Sequence, residues 1–375
     1  MKRALVALVL VVVTGCGGAP EGYLRAKSAG DRAKSSGRYD EAARAYEQAA
    51  REAKTPHERD EVLYLAASTW AQAGRSEEAM RTLDALVAAS PRGERAERAA
   101  YDRAYLEIER GDEAKGWEML ERTLFEHPNA GSDRRALRKL IDHQPPGSGL
   151  AWLDARMDRL AKTELAEDAQ YLRAALLRIA GRRTEARDAF VRCAEQHPYP
   201  RGTLVDDAWW NAAELEVELG APQRAIDDLR RLLSVRESSS LGQGSYERPR
   251  YSPAQMKIAE IYRDKLGDER AARVELHALY TNHRTSILRA EALFEEARLA
   301  KKAGDRSAAC DATSHLVDEL GESRYAGCAA ELCDGAKPST KAPACRPYLR
   351  ARIVGAPPPP ADGDPASSKE DAPPR

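Results

Sequence analysis

The amino-acid sequence predicts an all-α fold in which antiparallel helix pairs stack as a solenoid, and three observations carry that prediction. A glycine recurs at Gly37, Gly74 and Gly111, 37 residues apart, and then at Gly181, Gly220, Gly267 and Gly304 after 70, 39, 47 and 37 residues. Five residues after each glycine the side chain is small (Ala42, Ala79, Gly116, Ala186, Ala225, Ala272 and Ala309). Seven residues before it stand Gly30, Ala67, Ala104, Ala174, Ala213 and Ala297, with Glu260 the exception. Small residues at two fixed places around a turn glycine mean two helices that cross closely. A period of this length marks a repeat array whose units bury their apolar faces against one another.

The remaining repeat positions fill in the pair. Nine residues after the glycine come Tyr46, Leu83, Leu120, Phe190, Leu229, Leu276 or Thr313, which occupy the space beside the crossing. Pro91, Pro128 and Pro198 each lie 17 residues after their glycine, where proline ends the second helix. The interval of 70 holds two periods. Residues 145–149 (Pro-Pro-Gly-Ser-Gly) sit at its centre between expected helices over 133–143 and 150–162, which gives an eighth, degenerate unit.

These spacings resemble the tetratricopeptide repeat. The fullest copy reads Gly37-Arg38-Tyr39-Asp40-Glu41-Ala42, followed by Tyr46 and Ala49, and the resemblance covers residues 23–321. It implies a right-handed superhelix of seven to eight repeats with the first helix of each pair lining a concave groove. The period is mostly 37 rather than the family's 34, and the last three copies have lost the closing proline.

The N-terminus sets the compartment. Lys2 and Arg3 precede an apolar run over residues 4–13, which is too short for a membrane span of about twenty residues. Val13-Thr14-Gly15-Cys16 closes the run and resembles the bacterial lipobox. That likeness implies a signal peptide over 1–15, a diacylglycerol on the Cys16 thiol, and a lipidated flexible tether over 16–22. With Gly rather than Asp at position 17, it also implies the periplasmic face of the outer membrane. Acyl chains hold a water-soluble domain on a bilayer at about 0.8 kcal/mol per buried CH₂.

Composition excludes other classes. Lys and Arg number 59 against 60 Asp and Glu, so no net field gathers nucleic acid, and 32% charged residues exclude a polytopic membrane protein. No phosphate-binding loop, His-Glu-x-x-His or Gly-x-Ser-x-Gly spacing occurs. The acidic pairs Glu77-Glu78, Asp206-Asp207 and Glu295-Glu296 read as solvated helix faces. His127 and His197 precede Pro128 and Pro198 at equivalent helix ends, where a histidine suits the helix dipole. Neither a catalytic residue, a metal site nor a cofactor is expected.

Cys310, Cys328, Cys333 and Cys345 cluster within 36 residues, while Cys193 stands apart as a small core residue. Spacings of 18, 5 and 12 match no paired zinc knuckle, and an exported chain oxidises its thiols. Two disulfides of unspecified connectivity are expected, stapling residues 322–353 as a C-terminal cap. Residues 354–375 are Pro-rich and polar and are expected to form a disordered tail.

A binding surface follows from register. Ten residues before the glycine stand Tyr64, Tyr101, Tyr171, Trp210 and Phe294, interrupted by Lys27 and Lys257, with Tyr105 one turn beyond Tyr101. On a concave wall this row offers rigid amphipathic area to a peptide or helix; packed between neighbouring helices it is core. Four residues further on, Asp31, Ser68, Tyr105, Ala175, Glu214, Ile261 and Arg298 lack the Asn-plus-Lys set with which some family members clamp a terminal carboxylate. The ten extra residues before Gly267 fall in 237–251, where Tyr246, Arg248, Arg250 and Tyr251 suit a partner contact.

The expectation is a non-enzymatic, lipid-anchored periplasmic scaffold for protein-protein contacts. It would support assembly of an envelope complex such as a secretin, pilus, β-barrel or motility machine, through an envelope protein partner. The alternative is a cell-wall module that binds peptidoglycan or recruits a wall hydrolase.

Overall fold

The computed structural model describes residues 18–91, 93–128, 131–234 and 248–357. Every regular element among them is a helix. Two compact units divide the chain, one ending at Ala169 and the other beginning at Gln170. Cys16, the signal peptide, Tyr246 and residues 358–375 lie outside the described residues.

The first unit contains α1 (Glu21–Ser35), α2 (Tyr39–Glu52), α3 (Pro56–Gln72), α4 (Ser76–Ala89), α5 (Glu94–Arg110), α6 (Glu113–Glu126), α7 (Asp133–Asp142), α8 (Gly149–Asp154) and α9 (Met157–Leu160). Each helix through α8 packs on the next in chain order, as a stack of pairs requires. The first helix starts at Glu21, inside the stretch expected to be tether.

The recurring glycine is the residue that the turn demands. Gly37 and Gly74 both have φ +73°, and Gly111 has φ +105°. Side chains other than glycine rarely adopt that left-handed backbone. Just past each turn the amide reaches back to close the helix end: Arg38 N donates to the Ala33 carbonyl at 2.9 Å, and Arg75 N to that of Trp70 at 2.9 Å. Helix starts are also local in origin. Thr55 accepts from Glu58 N at 3.1 Å while the Glu58 carboxylate accepts from Thr55 N at 3.1 Å, a reciprocal cap ahead of Pro56.

The small positions lie at the crossings. Ala42, Ala67, Ala79 and Ala104 are buried. A Cβ on Gly30 would stand 2.7 Å from the Tyr46 ring, so the one pair with tyrosine in the filling position carries glycine opposite it. A Cβ on Gly116 would meet Ile108 Cγ1 at 2.5 Å and the Ile108 backbone nitrogen at 2.7 Å.

The degenerate unit departs from expectation. The helix expected over 150–162 is broken between α8 and α9 at Ala155 and Arg156. The Arg156 guanidinium lies 4.2 Å over the Trp152 ring, and its Nε donates to Glu121 at 2.8 Å.

In the second unit stand α10 (Ala166–Ile179), in which the division falls, α11 (Arg183–Gln196), α12 (Val205–Glu218), α13 (Pro222–Ser234), α14 (Tyr251–Asp264), α15 (Glu269–Asn282), α16 (Arg289–Lys302) and α17 (Arg306–Glu319). A 3₁₀ turn (Ala326–Cys328), α18 (Ala329–Leu332) and α19 (Pro347–Val354) form the cap. Cys310 is joined to Cys333, which ties α17 to the end of α18, and Cys328 is joined to Cys345. The cap covers Leu293, Phe294 and Leu316, apolar residues that the last helix pair would otherwise expose. Val354 ends α19, one residue into the expected tail.

A candidate interaction groove on the first helices of unit 1

Helices α3, α5 and α7 are the first members of three successive pairs, and the sequence spaces their polar residues onto one face. On α3 these are Tyr64 and Ser68; on α5, Arg98, Asp102 and Tyr105; on α7, Arg135 and Lys139. Each set advances by three or four residues, one helical turn. Between these helices lies a cavity of about 350 Å³, with Leu83, Leu106 and Trp117 among the residues lining it.

Tyr64 is half-buried, and its hydroxyl donates to Asp102 Oδ2 at 2.6 Å. The Arg95 and Arg98 guanidinium carbons lie 5.3 and 5.5 Å from its ring centroid. Burial, followed by the bond to Asp102, pushes the Tyr64 phenol up to about 12. The Asp102 carboxyl is itself raised, because burial outweighs the Tyr64 bond and the attraction of Arg98 and Arg135.

Tyr105 is the second tyrosine of the groove. Arg135 stands 5.1 Å and Lys139 5.9 Å from its ring centroid. Its hydroxyl oxygen is buried without a hydrogen-bond partner, and burial raises its phenol. Trp117, from α6, stacks on His143 at 4.0 Å with planes 13° apart, and its indole nitrogen is likewise buried without a partner. Among the described residues, Arg98, Arg135 and Lys139 take part in no ion pair. The groove thus combines an apolar floor, the aromatic side chains Tyr105 and Trp117, the cations Arg135 and Lys139, and the carboxylates Asp102 and Glu109.

Two members of the expected row are core instead. Tyr101 is 0% exposed, and its hydroxyl donates to the His127 carbonyl at 2.8 Å, at the end of α6. Phe294 is also 0% exposed, 5.1 Å from the Tyr325 ring and covered by Arg352 at 5.5 Å. Neither presents a surface to a partner. In the second unit Tyr171 accepts from Asn211 Nδ2 at 3.1 Å and meets Phe190 edge-on at 5.3 Å. Trp210 lies under Arg250 at 5.0 Å.

Arg248, Arg250 and Tyr251 are likewise engaged within the chain. Arg248 donates to Asp206 and Arg250 to Asp207, both at 2.7 Å, and Tyr251 is buried at the start of α14. The second unit's first helices are also knitted to each other. Arg178 bonds Asn211, Glu214 and Glu218, and Glu295 gathers Arg263, Arg298 and Arg352. Lys27 pairs with Asp31 at 2.9 Å and Lys257 with Glu260 at 3.8 Å. Cys193 is buried in α11, as a small core residue should be. No group of side chains among the described residues is arranged to hold a metal ion.

Sequence register did not find Asp102, Arg135, Lys139 or Trp117. Arg135 and Lys139 belong to the pair that keeps a turn glycine, Gly147 at φ +83°, but has Leu140 and Trp152 in place of the small crossing residues, and Trp117 reaches the groove from a second helix. The signal available for Asp102 was its position one residue after Tyr101, on the face that Tyr101 itself does not share.

The paired helices, the turn glycines and the open groove on successive first helices define a helix-pair repeat protein. The tetratricopeptide repeat family model matches residues 33–101, which span the second half of the first pair through the start of the third. No curated protein matches the chain. Solved structures similar to it include a tetratricopeptide repeat protein from Parabacteroides merdae, at 14% identity and a TM-score of 0.32, covering 74% of this chain and 99% of that one. The TPR2AB domain of yeast Sti1, in complex with pHSP90, is similar at 18% identity and a TM-score of 0.27, covering 75% of this chain and 98% of that one. The repeat assignment rests on the matched segment and on the helix pairs themselves. Such repeats are protein-interaction scaffolds, and the matched family is not a catalytic one.

Proposed function

We propose that this protein is a lipid-anchored scaffold on the periplasmic face of the outer membrane, which docks a protein partner of an envelope assembly in the groove between α3, α5 and α7. The observation that carries the docking site is the open cavity on these helices, with Tyr105 and Trp117 in its wall beside Arg135 and Lys139, which are engaged in no ion pair among the described residues. Support for the anchor is the lipobox-like ending at Cys16. The disulfide-closed cap suits an oxidising compartment.

The test is photo-crosslinking in cells from Ser68 and Tyr105, with Glu118, exposed on α6 outside the groove, as control. One envelope protein captured from the groove positions alone is the expected result, and a Cys16→Ala variant should leave the membrane fraction. Adducts that do not distinguish the groove from Glu118 would overturn the docking site. Sedimentation with purified peptidoglycan would replace the scaffold by a cell-wall module.

A further inference from the structure

We infer that the outward face of α1 rests on the lipid surface, so that the first helix pair is held flat at the membrane rather than swinging on its anchor. The inference rests on the lipidation of Cys16 proposed above.

The helix has two unlike faces. Tyr23, Ala26, Gly30 and Ala33 are buried, and they line one side at helical spacing. Leu24, Arg25, Ser28 and Arg32 are exposed on the other side, where no earlier helix precedes α1 among the described residues. Leu24 is 49% exposed, and the only other exposed large apolar side chain in the described part of the first unit is Tyr39.

Reach and charge name the occupant. Glu21, the first residue of α1, lies five residues after Cys16, and the helix is already joined to Pro20 by the bond from Leu24 N at 3.0 Å. Five residues span at most about 18 Å, so an acylated Cys16 keeps the first turn near the headgroups. A tether this short makes a lipid contact effectively intramolecular, at an effective concentration on the order of millimolar, so even a weak contact is populated. The cations Arg25, Lys27, Arg32 and Lys34 outnumber Glu21 and Asp31 along α1. Arg25 pairs with Glu21 at 2.6 Å, exposed Asp31 accepts from Lys27 at 2.9 Å and from Tyr46 at 2.8 Å, and Arg32 and Lys34 are in no ion pair among the described residues. Arg32 and Lys34 are thus the surplus charge of α1, and these two unpaired cations with one exposed leucine beside a lipid anchor match an anionic bilayer, the second signal that reinforces acyl chains.

The test uses the full-length acylated protein in phosphatidylcholine vesicles with and without phosphatidylglycerol. A fluorophore is attached at Ser28→Cys or, as control, at Glu118→Cys, and the lipids carry a headgroup quencher. Quenching at position 28 should exceed that at 118 several-fold on the anionic vesicles. The double variant Arg25→Glu, Arg32→Glu should remove the excess while the acyl mass stays unchanged. Equal quenching at both positions on vesicle-bound protein overturns the inference, as does a position-28 label shielded from solvent but not quenched, which would place a second copy or a protein partner on α1. An intact mass without acyl chains overturns the anchor, and the inference with it.

Discussion

Tyr64 on α3 donates its phenolic hydrogen to Asp102 on α5 across 2.6 Å, joining first helices of successive pairs through residues 38 apart in sequence. The bond orders the edge of the groove and stabilises a carboxylate that burial otherwise disfavours. Tyr64→Phe leaves that carboxylate short of a donor and should destabilise the first unit by about 1–3 kcal/mol at neutral pH. The Asp102 carboxyl is already raised in the folded chain, and losing the bond raises it further. The folded variant therefore binds a proton more readily than the wild type. Its deficit should be largest above the folded value and shrink as pH falls through it, as read by urea unfolding of the two proteins from pH 3 to 8.

Arg135 and Lys139 hold no ion pair among the described residues; both stand over the Tyr105 ring, and Arg135 also attracts the Asp102 carboxyl. Replacing both by glutamine should cost stability under about 1 kcal/mol each. It should nonetheless abolish crosslinking from Tyr105 in cells. Retained crosslinking with an unchanged thermal midpoint would mean that the partner does not use these cations.

Asp228 on α13 is buried, and burial pushes its carboxyl up to about 6 against the attraction of Arg231. An unfolded aspartate titrates near about 3.9, so the folded state binds the extra proton between those values. Stability from this group therefore falls as pH rises from about 4 to 6. Asp228→Asn removes that loss. The variant should gain up to about 2–3 kcal/mol over the wild type at pH 8, with no gain below pH 4. Denaturant unfolding of the second unit at both pH values decides it.

Gly116 sits where α6 crosses α5, with no room for a methyl group beside Ile108. Gly116→Ala improves helix propensity by about 1 kcal/mol, but overpacking of 1–3 kcal/mol should outweigh it. Faster amide exchange in α5 and α6, with little change in α16 and α17, is the expected signature, because repeat arrays transmit strain mainly to their neighbours.

The two cap disulfides close loops with sequence separations of 23 and 17. Each is worth about 2–4 kcal/mol. Reduction should lower the melting temperature of the second unit and open α16 and α17 to hydrogen exchange. Protection of α2 to α4 should be unaltered, and calorimetry with and without reductant gives the comparison.

The helix pairs were legible in the sequence because their determinants are local. A turn needing positive φ at Gly37 or Gly74, a small residue at a crossing such as Ala42, and a proline beyond a helix end each act within a few residues. Repetition then multiplies the signal. The break at Ala155 and Arg156 was not legible; Arg156, where it falls, bonds Glu121, which α6 supplies from 35 residues away and which no local pattern pairs with it.

By itself the sequence determined an all-helical repeat with glycine turns, the stretch of chain where the cysteines gather, and the lipobox-like start. Only the tertiary structure decided which aromatic residues line a surface. Tyr101 and Tyr105 lie one turn apart on α5, yet the first reaches the His127 carbonyl and is sealed in the core while the second faces Arg135 and Lys139. Helical spacing sets which direction a side chain leaves its own helix. What it meets there depends on the neighbouring pair, and the pair beside Tyr105 is the one whose small crossing residues are replaced by Leu140 and Trp152.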